Sequence, residues 1–245
     1  MVRCFTSLNM TTIAVTFALP AESSEFLRRL GGKSRTDRNG ISIFRGTIGD
    51  RSLEVIHTGV GEKICRERIA KFFEDQQFDF LISAGFAGSL NNELQVNDLL
   101  LAKNFSTLDL KHAQSSLPNV SIYAAKMLTV PALIDSSGER ERIARKSGAS
   151  AVDMETEFIA RACAKHGIPL LSLRVITDTP IQPFPAPPNV LFDINQQRTQ
   201  LLKLLTFFLK HPIWVPRLIQ FAGRIGHARK ILASAVVAVV RSIEL

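Results

Sequence analysis

The chain has 245 residues, 46% of them hydrophobic, and 30 Lys and Arg against 22 Asp and Glu give it a net charge of +8. That length and apolar content suit one sizeable domain, and no run reaches the roughly 20 apolar residues of a membrane span: 231–240 is too short and ends at Arg241. Three cysteines, Cys4, Cys65 and Cys163, show no paired metal-ligand spacing, and reduced thiols in a cytoplasmic protein are the simplest reading.

Residues 1–9 hold one arginine and no long apolar core, so no signal peptide is expected, and Met10 reads as the true start. The first strand spans 12–19, and Pro20 turns it into a helix carrying Glu22, Phe26, Leu27 and Leu30 that Gly31 and Gly32 end. Strands over 41–48 and 53–58 are joined at Gly49-Asp50 as a hairpin. Thr58-Gly59-Val60-Gly61 is a glycine turn leading into a helix with Ile64, Ile69, Phe72 and Phe73 on its apolar side. The buried strand at 78–83 opens into a small-residue loop, Ala84-Gly85-Phe86-Ala87-Gly88-Ser89-Leu90, which offers backbone N–H groups to a substrate. It lacks a P-loop lysine and does not match Gly-x-Gly-x-x-Gly, so ATP and dinucleotides are disfavoured.

Further strands are expected at 98–102 and within 122–130, and 138–146 reads as a charged, exposed helix. The stretch 149–179 organises the rest. Asp153 and Glu155 stand at the start of a helix with an apolar stripe of Phe158, Ile159, Ala162, Cys163 and His166, which Gly167 stops and Pro169 seals. The apolar run 170–176 then fits a strand buried on both faces. Asp178 emerges at its carboxyl end, where open α/β sheets bind ligands, although on spacing alone an aspartate capping a turn is the default. A proline-stiffened loop, 180–188, follows, with a helix over 195–210 and a last one over 217–243. From 203 to 245 there are seven basic residues and one glutamate, so the net charge belongs mostly to this tail. Such a segment suits a solvated helix face or contact with an anionic surface. Alternating strands and helices imply a mainly parallel α/β sheet. We read a single domain over 1–245, with a core of about 12–195 and a basic helical extension of about 196–245.

In this order the chain resembles the superfamily of purine nucleoside phosphorylases and 5'-methylthioadenosine/S-adenosylhomocysteine nucleosidases. The match lies in Ala151-Val152-Asp153-Met154-Glu155 with Arg174-Val175-Ile176-Thr177-Asp178, in the central glycine segment 82–90, in the glycine turn 58–61 and in Ala18-Leu19-Pro20-Ala21-Glu22. The resemblance implies a three-layer α/β/α nucleoside phosphorylase-like fold with a mixed, mainly parallel central sheet, and cleavage of the bond between a purine and ribose. It makes Asp178 the general acid on the leaving base and Glu22 the residue that orients water. Glu155 would grip the ribose hydroxyls and Met154 pack on the sugar, while Phe86, Ala87 and Gly85 would line the base pocket. Asp153 borders this substrate site and reads as a cap on the helix carrying Glu155, and Arg174 as a structural ion-pair partner. No metal or cofactor is implied. Phosphate would be a co-substrate if the chain is a phosphorylase, with Arg45, Arg66 and Arg68 as candidate contacts, within the subunit or across a subunit boundary.

The expected partner is a small purine nucleoside, adenosine-type, bound by a homo-oligomer, dimer or trimer, without nucleic acid. Phe86, Ser89 and Asn97 depart from the family pattern. These departures imply an altered base or 5' pocket, and the spacing of 130–149 and the proline-rich 180–188 resemble phosphorylase-like proteins associated with hopanoid synthesis, which act on an adenosine-capped lipid; that would give the basic tail a place at a membrane surface. The alternative from another class is a nucleoside-binding or membrane-associated module without turnover.

Overall fold

The computed structural model describes residues 11–115, 117, 121–187, 190, 197 and 201–243. The expectations for residues 1–10, Cys4 included, and for the start of the helix at Asn195 lie outside the described residues. In chain order the elements are β1 (Thr12–Phe17), α1 (Pro20–Leu27), β2 (Gly31–Arg38), β3 (Ile41–Ile48), β4 (Arg51–His57), α2 (Glu62–Phe73), β5 (Phe80–Ser89), β6 (Leu99–Ala102), α3 (Leu110–Ser115), β7 (Ile122–Ala125), β8 (Met127–Thr129), α4 (Ser137–Ser147), β9 (Ala151–Asp153), α5 (Thr156–His166), β10 (Leu170–Asp178), α6 (Leu201–Lys210), a 3-10 turn (Pro212–Trp214) and α7 (Val215–Ser242).

The strands form one mixed sheet in the order β2-β3-β4-β1-β5-β10-β6-β7, with β9 hydrogen-bonded to β5 and β8. Its centre, β4-β1-β5-β10, is parallel. Both faces of that centre are covered, which the alternation along β1 makes plain: Ile13, Val15 and Phe17 enter the core shared with α1 and α7, while Ala14 enters the core shared with α2 and α5. This is the three-layer α/β/α arrangement that apolar parallel strands require.

Several local readings are corrected. Residues 84–89 are the second half of β5, laddered to β10 and then to β9, and not a loop. The first helix ends at Leu27, and Gly31 and Gly32 begin an exposed edge strand, β2, whose polar sequence hid it. Ala151–Asp153 is the short strand β9, so the helix starts at Thr156. Helix α4 is exposed or half-buried except at one position: Arg140 is the largest fully buried side chain, at 1% exposure. The tail is not an appended solvated segment, because the second half of α7, from Ala228 to Val240, is built into the main core against α1, β5 and β10. The hairpin at Gly49-Asp50 is as expected, and so is the stop at Gly167, which takes the left-handed φ of 67°. Cys65 and Cys163 are free, buried thiols.

Candidate active site

The site forms where the central strands part. β5 pairs with β1 only over Phe80–Ser83 and then runs beside β10, with β9 taking the other side only at Gly88 and Ser89. Between Ser83 and the pairing with β9 at Gly88, that edge of β5 has no ladder partner, and the Phe86 N–H donates at 3.0 Å to Glu22 Oε1. Glu22 reaches there because Pro20 starts α1 directly after β1, while Gly85 has no Cβ; one would stand 3.2 Å from the carboxylate. Glu22 Oε2 accepts from the N–H groups of Ala18 at 2.8 Å and Leu19 at 3.0 Å. Burial raises the carboxyl above its ordinary range, against the pull of these three donors and of Arg174. Three of about four acceptor positions are filled, leaving room on Oε1 for one more donor.

Glu155 sits between β9 and α5, and its Oε1 accepts from Gly61 N at 2.9 Å. The glycine turn thus acts through a backbone donor: Gly61 has φ 88° and ends against α2, a conformation that side chains rarely adopt. Burial, then the neighbouring Asp153, push Glu155 above the usual carboxylate range. Asp153 itself is committed to structure. It accepts from the Thr156 N–H and hydroxyl, from Thr129 Oγ1 at 2.9 Å and from Arg174 at 3.0 Å. Arg174 also donates to Ser83 O at 2.6 Å, so it ties β10 to β5 and fixes the start of α5.

Asp178 is the last residue of β10 and is 2% exposed. Its Oδ2 accepts from Arg140 Nη2 at 2.5 Å and its Oδ1 from the Thr177 hydroxyl at 3.1 Å. Arg140 also donates to Ser89 O at 2.7 Å and to Ile134 O at 2.7 and 3.1 Å. Burial raises the Asp178 carboxyl above its ordinary value, and the Arg140 guanidinium restrains the rise. Gly88 lies opposite in the ladder, where a Cβ would stand 2.7 Å from Asp178 Oδ2.

All three carboxylates border one cavity of about 380 Å³, within the roughly 300–1,000 Å³ of small-molecule sites. Phe86, Ala87, Met154 and Asp153 line it with Arg140 and Thr177, whereas Gly85 faces a smaller hollow behind Glu22. The outer wall is apolar and comes from loops and tail: Leu133, Phe184, Leu204, Leu218, Phe221 and Ile225. Arg140 and this wall are the parts the sequence reading missed. Arg45, Arg66 and Arg68 do not line the cavity; Arg45 pairs with Glu54 at 2.7 Å, Arg66 with Glu62 at 2.8 Å, and Arg68 donates to His57 O at 3.1 Å. Among the described residues, no group of three or more His, Cys, Asp or Glu side chains is placed to hold a metal ion.

Comparison with known proteins follows the same lines. The family model of the phosphorylase superfamily matches residues 110–210. Aminodeoxyfutalosine nucleosidase of Helicobacter pylori is 29% identical over 198 residues, 69% of this chain and 86% of that protein. A DeoD-type purine nucleoside phosphorylase of Bacillus velezensis is 22% identical over 161 residues, 57% of this chain and 69% of its own length. Among solved structures, 5'-methylthioadenosine/S-adenosylhomocysteine nucleosidase of Helicobacter pylori superposes with a TM-score of 0.73 at 16% identity, covering 96% of this chain and 99% of that one. At that identity the likeness is one of fold.

Proposed function

We propose that this chain, an enzyme of the phosphorylase superfamily related to nucleosidases and purine nucleoside phosphorylase, hydrolyses the N-glycosidic bond of a purine nucleoside. The observation that carries the reading is the convergence of Glu22, Glu155 and Asp178 on one cavity at the ends of β1, β9 and β10. Breaking a C–N glycosidic bond sends the electron pair to the base and leaves positive charge on the sugar, so the reaction needs an acid at the base and acceptors at the ribose. Asp178, desolvated and raised, donates its proton to the ring nitrogen of the leaving purine. Glu22 accepts a proton from the water that bonds to the anomeric carbon, using its remaining acceptor position. Glu155 accepts hydrogen bonds from the ribose hydroxyls, and Met154 packs beneath the sugar. Water plus nucleoside becomes free base plus ribose, with the proton returned through solvent.

Water rather than phosphate is supported by the charges at the nucleophile's place. Glu22 would repel a phosphate dianion at short range, Arg140 is engaged by Asp178, and Arg45, Arg66 and Arg68 are engaged away from the cavity. The test is base release from adenosine-type nucleosides, with and without phosphate. We expect release independent of phosphate and a loss of about 10²–10⁴ in Asp178→Asn, the range for a general acid. An active Asp178→Asn enzyme sinks the mechanism, and ribose-1-phosphate among the products sinks the choice of water.

A second reading concerns the substrate. The apolar wall of Leu133, Phe184, Leu204 and Leu218 favours a nucleoside with a large apolar 5' substituent, as on an adenosine-capped lipid. On this reading kcat/KM rises along a series of 5'-alkylthioadenosines of growing chain length; a flat or falling series removes it.

A further inference from the structure

The tail presents two opposite faces. In α6, Leu204 lines the cavity and Phe208 is buried, while Leu205 and Leu209, one turn apart, point outward. In α7, Leu218, Phe221 and Ile225 line the cavity, while Val215 and Ile219 point outward. Ile213 lies in the turn between them, and Leu209, Ile213 and Ile219 are 73%, 82% and 68% exposed. Nearly all the large exposed apolar side chains among the described residues belong to this helix–turn–helix segment or, as Ile181, to the loop after β10. Contiguous apolar exposure of this kind marks an interaction surface.

Charge identifies what covers it. Exposed Lys203, Lys210 and Arg217 flank the apolar residues, none of them in an ion pair among the described residues, and no Asp or Glu occurs from 201 to 243. Trp214, half-buried at the tip, stacks under the Arg217 guanidinium at 4.6 Å, an amphipathic pairing suited to a polar–apolar boundary. A second copy of the chain seated on this face about a two-fold axis would set like charges against each other with no acidic complement. No described helix is long and apolar enough to cross a membrane. We infer that the α6–turn–α7 segment docks on the surface of an anionic lipid bilayer, with Leu209, Ile213 and Ile219 entering the acyl boundary and the three cations on the headgroups. The docking stands independently of the chemistry in the cavity, although the same two helices wall that cavity.

The experiment is co-sedimentation of the full chain with vesicles of phosphatidylcholine alone and with about one third phosphatidylglycerol. Binding is expected to the anionic vesicles, at least about tenfold weaker to the neutral ones, and lost in high salt. The double substitution Leu209→Asp with Ile213→Asp, at exposed positions outside the cavity, is expected to abolish binding while leaving nucleoside cleavage in solution unchanged. Lys210→Gln and Arg217→Gln each weaken binding about fivefold, the equivalent of the roughly 1 kcal/mol a basic residue gives at an anionic surface. Failure to bind anionic vesicles, or binding indifferent to these substitutions, overturns the inference. So does a dimer in sedimentation velocity that the double substitution splits, which would assign the face to self-association.

Discussion

Arg140→Met isolates the buried pair at the end of β10. The substitution keeps the apolar stem but removes a guanidinium that bonds Asp178 Oδ2 at 2.5 Å and two backbone carbonyls, those of Ser89 and Ile134. Removing one partner of a buried pair costs about 3–5 kcal/mol, because the other charge is left uncompensated. For a chain of this size each kcal/mol lowers Tm by about 2–4 °C, so a fall of about 6–20 °C is expected at pH 8. The abandoned partner is a carboxyl that can take up a proton. With Arg140 gone, only the Thr177 hydroxyl and the charge of Arg224 oppose the desolvation that already raises Asp178, and its folded-state pKa moves further above the unfolded value of about 3.9. A group raised in the folded state contributes stability below its unfolded pKa and loses it as pH rises through the folded one. The deficit relative to wild type should therefore shrink from pH 8 to pH 5, read by scanning calorimetry at both. In Asp178→Asn the abandoned charge is a guanidinium that cannot deprotonate, and its deficit should not shrink in this way. An Arg140→Met deficit equal at both pH values would refute the argument, as would a Tm within 2 °C or so of wild type.

Two further outcomes follow from the site's geometry. Gly88→Ala places a Cβ 2.7 Å from Asp178 Oδ2 and 3.3 Å from Arg140 Nη1, so the carboxylate must move; base release should fall about 100-fold, the usual effect of a misplacement near 1 Å, and an unchanged kcat would contradict the role given to Asp178. Glu155→Gln removes a charged acceptor worth about 1.5–3 kcal/mol, predicting a loss of about 10- to 150-fold in kcat/KM. Because the ionised form is needed and burial raises its pKa, wild-type kcat/KM should fall with decreasing pH already above the ordinary carboxylate range; persistence of that limb in Glu155→Gln assigns it to another group.

What the sequence disclosed is what local pattern controls. Apolar β-branched runs at 170–176 and 12–17, the Gly-Asp hairpin and the left-handed stop at Gly167 all express short-range sterics, and the structure keeps them. The carboxylates were found through resemblance, since spacing alone left Asp178 a turn cap. Arg140 was hidden because it shares α4 with Arg142 and Arg145, both exposed and paired within the helix; only the tertiary position of Asp178, 38 residues on, distinguishes it. β2 was missed because an exposed edge strand needs no apolar alternation. The small residues of 84–89 suggested a loop because their use is to let Glu22 and Asp178 come close to a strand, a relation between elements that no local window contains. The apolar run 231–240, too short for a bilayer, was the one available sign that the tail ends inside the core.

Helix α7 is continuous over 28 residues, yet its halves answer to different thermodynamics. From Ala228 onward it packs its apolar side chains into the core beneath the sheet, so its amides are expected to exchange with solvent mainly through global unfolding. The half before Ala228 is held by the cavity wall and by Arg224 on Gln182, and Gly223 and Gly226, with open space where a Cβ would be, mark the border. Each glycine weakens the helix there by about 1 kcal/mol relative to alanine. The outer turns are therefore expected to fray and re-form while the core stays shut, which would make the exchange of a bulky molecule with the cavity depend on those turns rather than on the stability of the protein.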